Sequence, residues 1–154
     1  MQTIQTIGID LGTANILVFV QGSGITVREQ RRDDVAHQDY VNLVTLRAGS
    51  HNISGTLAGR RREARIVMID DHLSDVPPAK CMLIVRNDDR PGVIGRVGTT
   101  LGDAGVNIDN MDVGKTPKAG SAMMVIATAS PTPQNVVEQL RKVPGIVEVI
   151  SIGG

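Results

Sequence analysis

Apolar positions along the chain change their spacing near residue 78. Before that point they alternate or cluster in short β-branched runs, the mark of strands. Ile4–Leu11 and Asn15–Val20 flank a Gly-Thr-Ala turn and read as a hairpin. After the Gly22-Ser23-Gly24 turn, Ile25–Val27 reads as a short strand, and Arg28–Asp39 (REQRRDDVAHQD) as an exposed charged connection. Val41–Arg47, Ile53–Ala58 and Ile66–Ile69 follow as strands, the first two joined by an Ala48-Gly49-Ser50-His51 turn. Asp75-Val76-Pro77-Pro78 marks a boundary, because two prolines cannot sit inside a sheet.

Beyond it, Cys81–Arg86 (CMLIVR) is a continuous apolar run suited to a buried central strand. Ile94, Val97, Leu101 and Ala104 then recur at helical spacing. Asp89 is placed to cap that helix, Pro91 suits its first turn and Gly105 its end. Val106–Val113 and Ser121–Thr128 read as strands. Thr132 and Pro133 open a second helix carrying Val136, Val137, Leu140 and Val143, which Pro144-Gly145 stops. Ile146–Ile152 is the last strand. The order β-α-β-β-α-β predicts an α+β fold: a ferredoxin-like sandwich with both helices on one face, preceded by a small β-rich subdomain.

Composition narrows the function classes. Sixteen basic residues balance sixteen acidic ones in 154, so no net field points to nucleic acid or an anionic membrane. With no Trp, one Tyr and one Phe, stacking on bases is nearly unavailable, and the core must be aliphatic. No apolar run reaches the roughly 20 residues of a membrane span, and Met1 lacks signal-peptide flanks. The single Cys81 excludes an internal disulfide and reads as a buried strand residue. A cytoplasmic protein without nucleic-acid or membrane partners is the expectation. His37, His51 and His72 lack metal-ligand spacing, and no nucleophile-base-acid set is visible, so neither metal, cofactor nor catalytic residue is expected.

The segment LIVRNDDRPGVIGRVGTTLGDAGVNIDNMDVGK (Leu83–Lys115) resembles the ACT domain, a ferredoxin-like module that binds amino acids. The likeness is to the regulatory end of bacterial D-3-phosphoglycerate dehydrogenases. It continues upstream, where GITVREQ, DYVNLVTLR, ISGTLAG and RIVMIDD resemble part of the intervening domain of those enzymes. The resemblance implies an ACT domain at 78–154 after a partial intervening domain at 23–77. It further implies an L-serine or other small-amino-acid site at Asn87, Asp89, Pro91, Gly92, Asn107 and Ile108, at a homodimer contact between ACT domains. The residues suit that chemistry. A helix N-terminus attracts a carboxylate, Asp89 offers a partner for an ammonium group, and Asn107 offers both donor and acceptor. Simple capping by Asp89 and turn closure by Asn107 are the blander readings, and the set of three on one rim favours a ligand. Arg60, Arg61, Arg62 and Arg65 form either a second anion site or a solvated loop. Catalytic domains are missing, since no G-x-G-x-x-G crossover is present.

IGIDLGTANILVFVQGSGI (Ile7–Ile25) resembles the first hairpin of the actin-like protein MreB, and the hairpin segment is placed at about residues 1–22. That resemblance implies a metal-holding role at Asp10 and phosphate approach at Gly12, Thr13 and Asn15. The cleft such a loop serves needs a second phosphate hairpin. Asp112-Val113-Gly114-Lys115, the nearest approach, belongs to the ACT-like segment. The hairpin is therefore expected to be structural, adding strands to the β-rich sheet of a fused chain. A folded chimera without a ligand and an actin-like ATP-binding fragment stand as alternatives to the amino-acid-binding module.

Overall fold

The computed structural model describes residues 4–10, 15–21, 25–31, 42–48, 50–70, 72–115 and 120–153. The chain divides into two compact units, Met1–Asp71 and His72–Gly154. In the first, β1 (Ile4–Asp10) and β2 (Asn15–Gln21) pair antiparallel from Ile4↔Gln21 to Asp10↔Asn15. They form a two-stranded sheet of their own, so the hairpin does not extend the neighbouring sheet, contrary to expectation. β3 (Ile25–Arg31), β4 (Asn42–Ala48), β5 (His51–Ala58) and β6 (Glu63–Ile69) follow as an antiparallel meander. β3 is longer than its apolar run, because Arg28–Arg31, expected in a connection, pair with β4 up to Arg31↔Asn42. Backbone pairing does not require apolar side chains. Leu43, Val44, Leu46, Ile66, Val67 and Ile69 are buried, and the Thr45 and Ser54 hydroxyls meet at 2.8 Å between β4 and β5. Asp70 (φ 53°) ends β6 by donating its N–H to Asn52 O at 2.7 Å and accepting Asn52 N–H on its carboxylate at 2.9 Å.

The second unit holds β7 (His72–Val76), β8 (Met82–Asp88), α1 (Val93–Asp103), β9 (Ile108–Lys115), β10 (Ser121–Thr128), α2 (Gln134–Arg141) and β11 (Ile146–Ile152). β8 through β11 form one sheet in the order β11-β8-β10-β9, with β10 antiparallel to both β8 and β9, and β11 antiparallel to β8. This is the expected ferredoxin-like βαββαβ arrangement. Leu83, Val85, Met124, Ile126 and Val149 face Val93, Val97 and Leu101 of α1 and Val136, Val137 and Leu140 of α2 in one aliphatic core. Alternation turns Met82, Ile84, Met123 and Val125 to the opposite face, and these are buried as well.

The helix boundaries differ from those the spacing suggests. The buried stripe of α1 is Val93, Val97 and Leu101, while Ile94 is 43% exposed and Ala104 is exposed beyond the last turn. Neither Asp89 nor Thr132 caps a helix. α1 starts from Gly92 in the left-handed region (φ 85°) and α2 from Pro133, both without a side-chain cap bond. The chain after Asp88 makes its hydrogen bonds elsewhere, which delays the helix to Val93. Gly105 does end α1 as expected. At φ 71° it donates to Gly102 O at 2.9 Å, and Val106 donates to Leu101 O at 2.9 Å, the paired bonds of a Schellman closure.

β7 was hidden in the sequence, where its inward positions carry His72, Ser74 and Val76. It lies across the sheet face opposite the helices. Leu73 meets Gly114 and Asp75 N–H donates to the Asp112 carboxylate at 3.0 Å, so β7 and β9 run in opposite directions. A Cβ on Gly114 would overlap the Leu73 carbonyl group, so this crossing requires a bare backbone. Gly114→Ala is expected to destabilise the protein by about 1–3 kcal/mol. Gly98→Ala, on an α1 face where an added methyl meets nothing within 4 Å, is expected to stabilise it by about 0.5–1 kcal/mol. Denaturant melts of the two variants check both signs.

Candidate functional site

The chain between β8 and α1 is built around three glycines. Asp88 N–H donates to Gly145 O at 2.8 Å, Asp89 N–H to Gly120 O at 3.3 Å, and Arg90 N–H to Asp88 O at 2.8 Å. Gly120 and Gly145 have φ of 87° and 91°, which lets their carbonyls turn toward this loop. Gly92 completes the bend at φ 85°. Asp89, Arg90 and Pro91 are consequently exposed on one rim, above the start of a helix that has no side-chain cap and no acidic residue in its first turn. Arg96 fastens this end by donating from Nη2 to Pro144 O at 3.1 Å.

Asn87 lies beneath the rim. It is 3% exposed and shares its sheet face with Leu83 and Val85. Its Nδ2 donates to Asp88 O at 2.7 Å, whereas its Oδ1 is buried and accepts no hydrogen bond. A buried carbonyl oxygen left in that state costs about 1–3 kcal/mol, which a donor brought to the site can recover.

Asn107 and Ile108 do not join this rim within one chain. On β10, Ala122 pairs with Asn87 and Thr128 with Ile108, so the two groups are separated by the length of the strand, about 20 Å. The expectation that Asn87, Asp89 and Asn107 share one rim is thereby corrected. The reason is topological: α1 carries the chain back along the sheet before β9 begins. Asn107 is exposed, donates from Nδ2 to the Asp109 carboxylate at 3.1 Å and accepts Ala129 N–H on its carbonyl at 3.2 Å. Ile108 packs against the core.

The remaining candidates are dispersed. Arg60, Arg61 and Arg62 are exposed on the turn joining β5 to β6, and Arg65 is half-buried on β6. His51 Nδ1 lies 3.3 Å from the Asp70 carboxylate, and His72 is buried on β7. No cluster of three or more metal-ligating residues occurs among the described residues, in which His37 is not included. Cys81 is half-buried in the bend before β8 rather than a buried strand residue. Asp10 ends β1 opposite Asn15, and Gly12 and Thr13 fall outside the described residues. Asp112–Lys115 belongs to β9. Among the described residues no helix is long and apolar enough to cross a membrane.

Sequence comparison bears on most of the second unit. Residues 82–145 match the ACT domain family. The chain is similar to D-3-phosphoglycerate dehydrogenase of Synechocystis, at 32% identity over 142 residues, covering 90% of this chain and 25% of that protein. It is similar to the enzyme of that name from Methanocaldococcus jannaschii at 29% identity, over 94% of this chain and 27% of the relative. The Bacillus subtilis enzyme of that name matches at 39% identity over 85 residues, 55% of this chain. The chain thus spans about a quarter of the length of the first two relatives. An alignment over 94% of the chain reaches into the first 22 residues, where an actin-like hairpin was the expectation.

Gly92 is the residue on which the loop geometry turns. An alanine there must hold φ near 85° with its Cβ 3.3 Å from Arg96 Nη1. Gly92→Ala is expected to cost about 1–2 kcal/mol, read as a lower denaturation midpoint at unchanged slope.

Proposed function

We propose that this chain is a non-catalytic amino-acid-binding regulatory module of a D-3-phosphoglycerate dehydrogenase type, with L-serine as its ligand. The observation that carries the reading is Asn87, whose buried Oδ1 lacks a donor immediately beneath Asp89 and an uncapped helix start. An α-amino acid has the complementary groups. Its ammonium can donate to Asn87 Oδ1 and the Asp89 carboxylate, and its carboxylate can take the N–H groups and dipole at the start of α1. Pro91 and Gly92 shape the backbone that the ligand approaches. The module works in the cytoplasm in this reading and needs no cofactor. Its segments are the hairpin 1–22, a partial intervening domain 23–77 and the ACT domain 78–154.

Asn107 and Ile108 enter the site from a second copy. A two-fold axis perpendicular to the strands reverses their direction, so pairing two ACT units about such an axis sets the beginning of β9 of one against the β8–α1 loop of the other. The separation of the two groups along β10 supports a homodimer whose sites are completed in trans.

Titration calorimetry tests the assignment. Heat with L-serine, lost in both Asp89→Ala and Asn107→Ala, is the expected outcome; silence toward all amino acids favours a folded module without a ligand. Mixing the two variants after dissociation and reassociation separates shared from single-chain sites. Random pairing of the chains should restore about one quarter of the wild-type sites, because each mixed dimer carries one intact site. No recovery on mixing is the result for sites contained in single chains.

A further inference from the structure

Arg96 lies outside the set of residues that the loop motif singles out, yet α1 carries it to the candidate site. It stands one turn after Gly92, and side chains on a helix lean back toward its start. A Cβ on Gly92 would lie 3.3 Å from Arg96 Nη1, so the guanidinium rests over the bare backbone from which the helix begins. Its Nη2 donates to Pro144 O at 3.1 Å, and the next residue, Gly145, accepts the Asp88 N–H at 2.8 Å. The guanidinium is therefore held between the helix start and the turn that steadies the candidate loop.

That bond does not neutralise its charge. Pro144 O is a neutral carbonyl, and the contact takes a single N–H of a group that offers several. The first turn of α1 holds no acidic residue to pair with it. Arg90, the other cation of the loop, instead has its Nε 3.6 Å from the Asp88 carboxylate. Arg96 thus adds a placed positive charge to the dipole of an uncapped helix start, while Asn87 Oδ1 lies buried and without a donor beneath the same loop. A guanidinium beside helix N–H groups meets a carboxylate with several charge-assisted bonds, and one already tethered loses little freedom when the ligand arrives.

We propose that Arg96 is the residue by which this site recognises the ligand's carboxylate, so that the module selects free α-amino acids over their carboxyl-blocked forms. The ammonium faces Asn87 Oδ1 and Asp89, and the carboxylate takes the N–H groups of α1 together with the Arg96 guanidinium. A ligand whose acid group is an amide keeps the first set of contacts and forfeits the charge-assisted part of the second. This inference rests on the amino-acid reading of the site.

Calorimetry of the full chain with L-serine and with L-serinamide, at about pH 6 where both amines are charged, tests it. The wild-type chain should bind L-serine about tenfold or more tightly than the amide. Arg96→Gln, which removes the charge but keeps N–H donors, should bind L-serine about tenfold or more weakly and lose most of the preference. Arg96→Lys, which keeps the charge, should restore part of both. An amide too weak to measure counts as preference in the wild type, and the L-serine affinities of the variants then decide. Equal wild-type affinity for the two ligands overturns the proposal, as does L-serine binding by Arg96→Gln within about twofold of the wild type. Weakening of both ligands by one factor in Arg96→Gln marks a tether to Pro144 and overturns carboxylate recognition. Each of these results leaves the amino-acid site standing. Absence of heat with L-serine, glycine and L-alanine overturns the amino-acid reading, and the role of Arg96 with it.

Discussion

The second unit depends on burying both faces of two adjacent strands. β8 and β10 are the inner pair of a four-stranded sheet, and their side chains are removed from water on either side. Leu83, Val85, Met124 and Ile126 do this against the helices, and Met82, Ile84, Met123 and Val125 on the reverse. Strands in such a position cannot alternate apolar with polar, which is why CMLIVR and AMMVIAT are continuous apolar runs. An aromatic-poor composition suits the same requirement, because β-branched residues and adaptable methionines fill thin aliphatic layers. The candidate-site loop inherits its position from this pair, since it leaves β8 beside the start of β10.

Features set by local chemistry were legible in the sequence, and those set by neighbours distant in the chain were not. The strand order, both helices and the Gly105 closure follow from apolar spacing and glycine placement. The start of α1 does not, because Asp88 and Asp89 commit their N–H groups to Gly145 and Gly120, residues far along the chain. β7 escaped notice because its inward positions are His72, Ser74 and Val76, so burial is not signalled by hydrophobicity. The length of β3 was concealed likewise, by polar residues whose backbone pairs normally. For the candidate site, the sequence offers residue types but not their mutual placement. Asn87 and Asn107 look adjacent in a motif, and a helix separates them by the full length of a strand.

The expectation of an actin-like hairpin in the first residues illustrates how little a short motif specifies. Two β-branched runs around a glycine turn meet the needs of any tight antiparallel pair, and β1 and β2 form one with continuous register. Similarity to a D-3-phosphoglycerate dehydrogenase takes in 94% of the chain, which includes part of the same segment. A phosphate loop is defined by the cleft around it, and the ACT match claims Asp112–Lys115, the segment nearest to a second such loop.

Helix α1 carries Gly95, Gly98 and Gly102, and an added methyl at any of them would meet nothing within 4 Å. Each lowers the intrinsic tendency to form helix by roughly 1 kcal/mol, so the segment has little ability to nucleate in isolation. Its order must come from docking Val93, Val97 and Leu101 onto a sheet whose neighbours of β8 are made much later in the chain. During synthesis the loop bearing Asp89 therefore exists before the helix that gives it shape, and it acquires that shape only once β10 and β11 have arrived. Folding of this unit is governed by distant pairings, which places it behind helical bundles of similar size in folding rate. A nascent chain stalled before β11 would leave the apolar run of β8 unsheltered, the condition in which chaperone engagement or aggregation competes with completion.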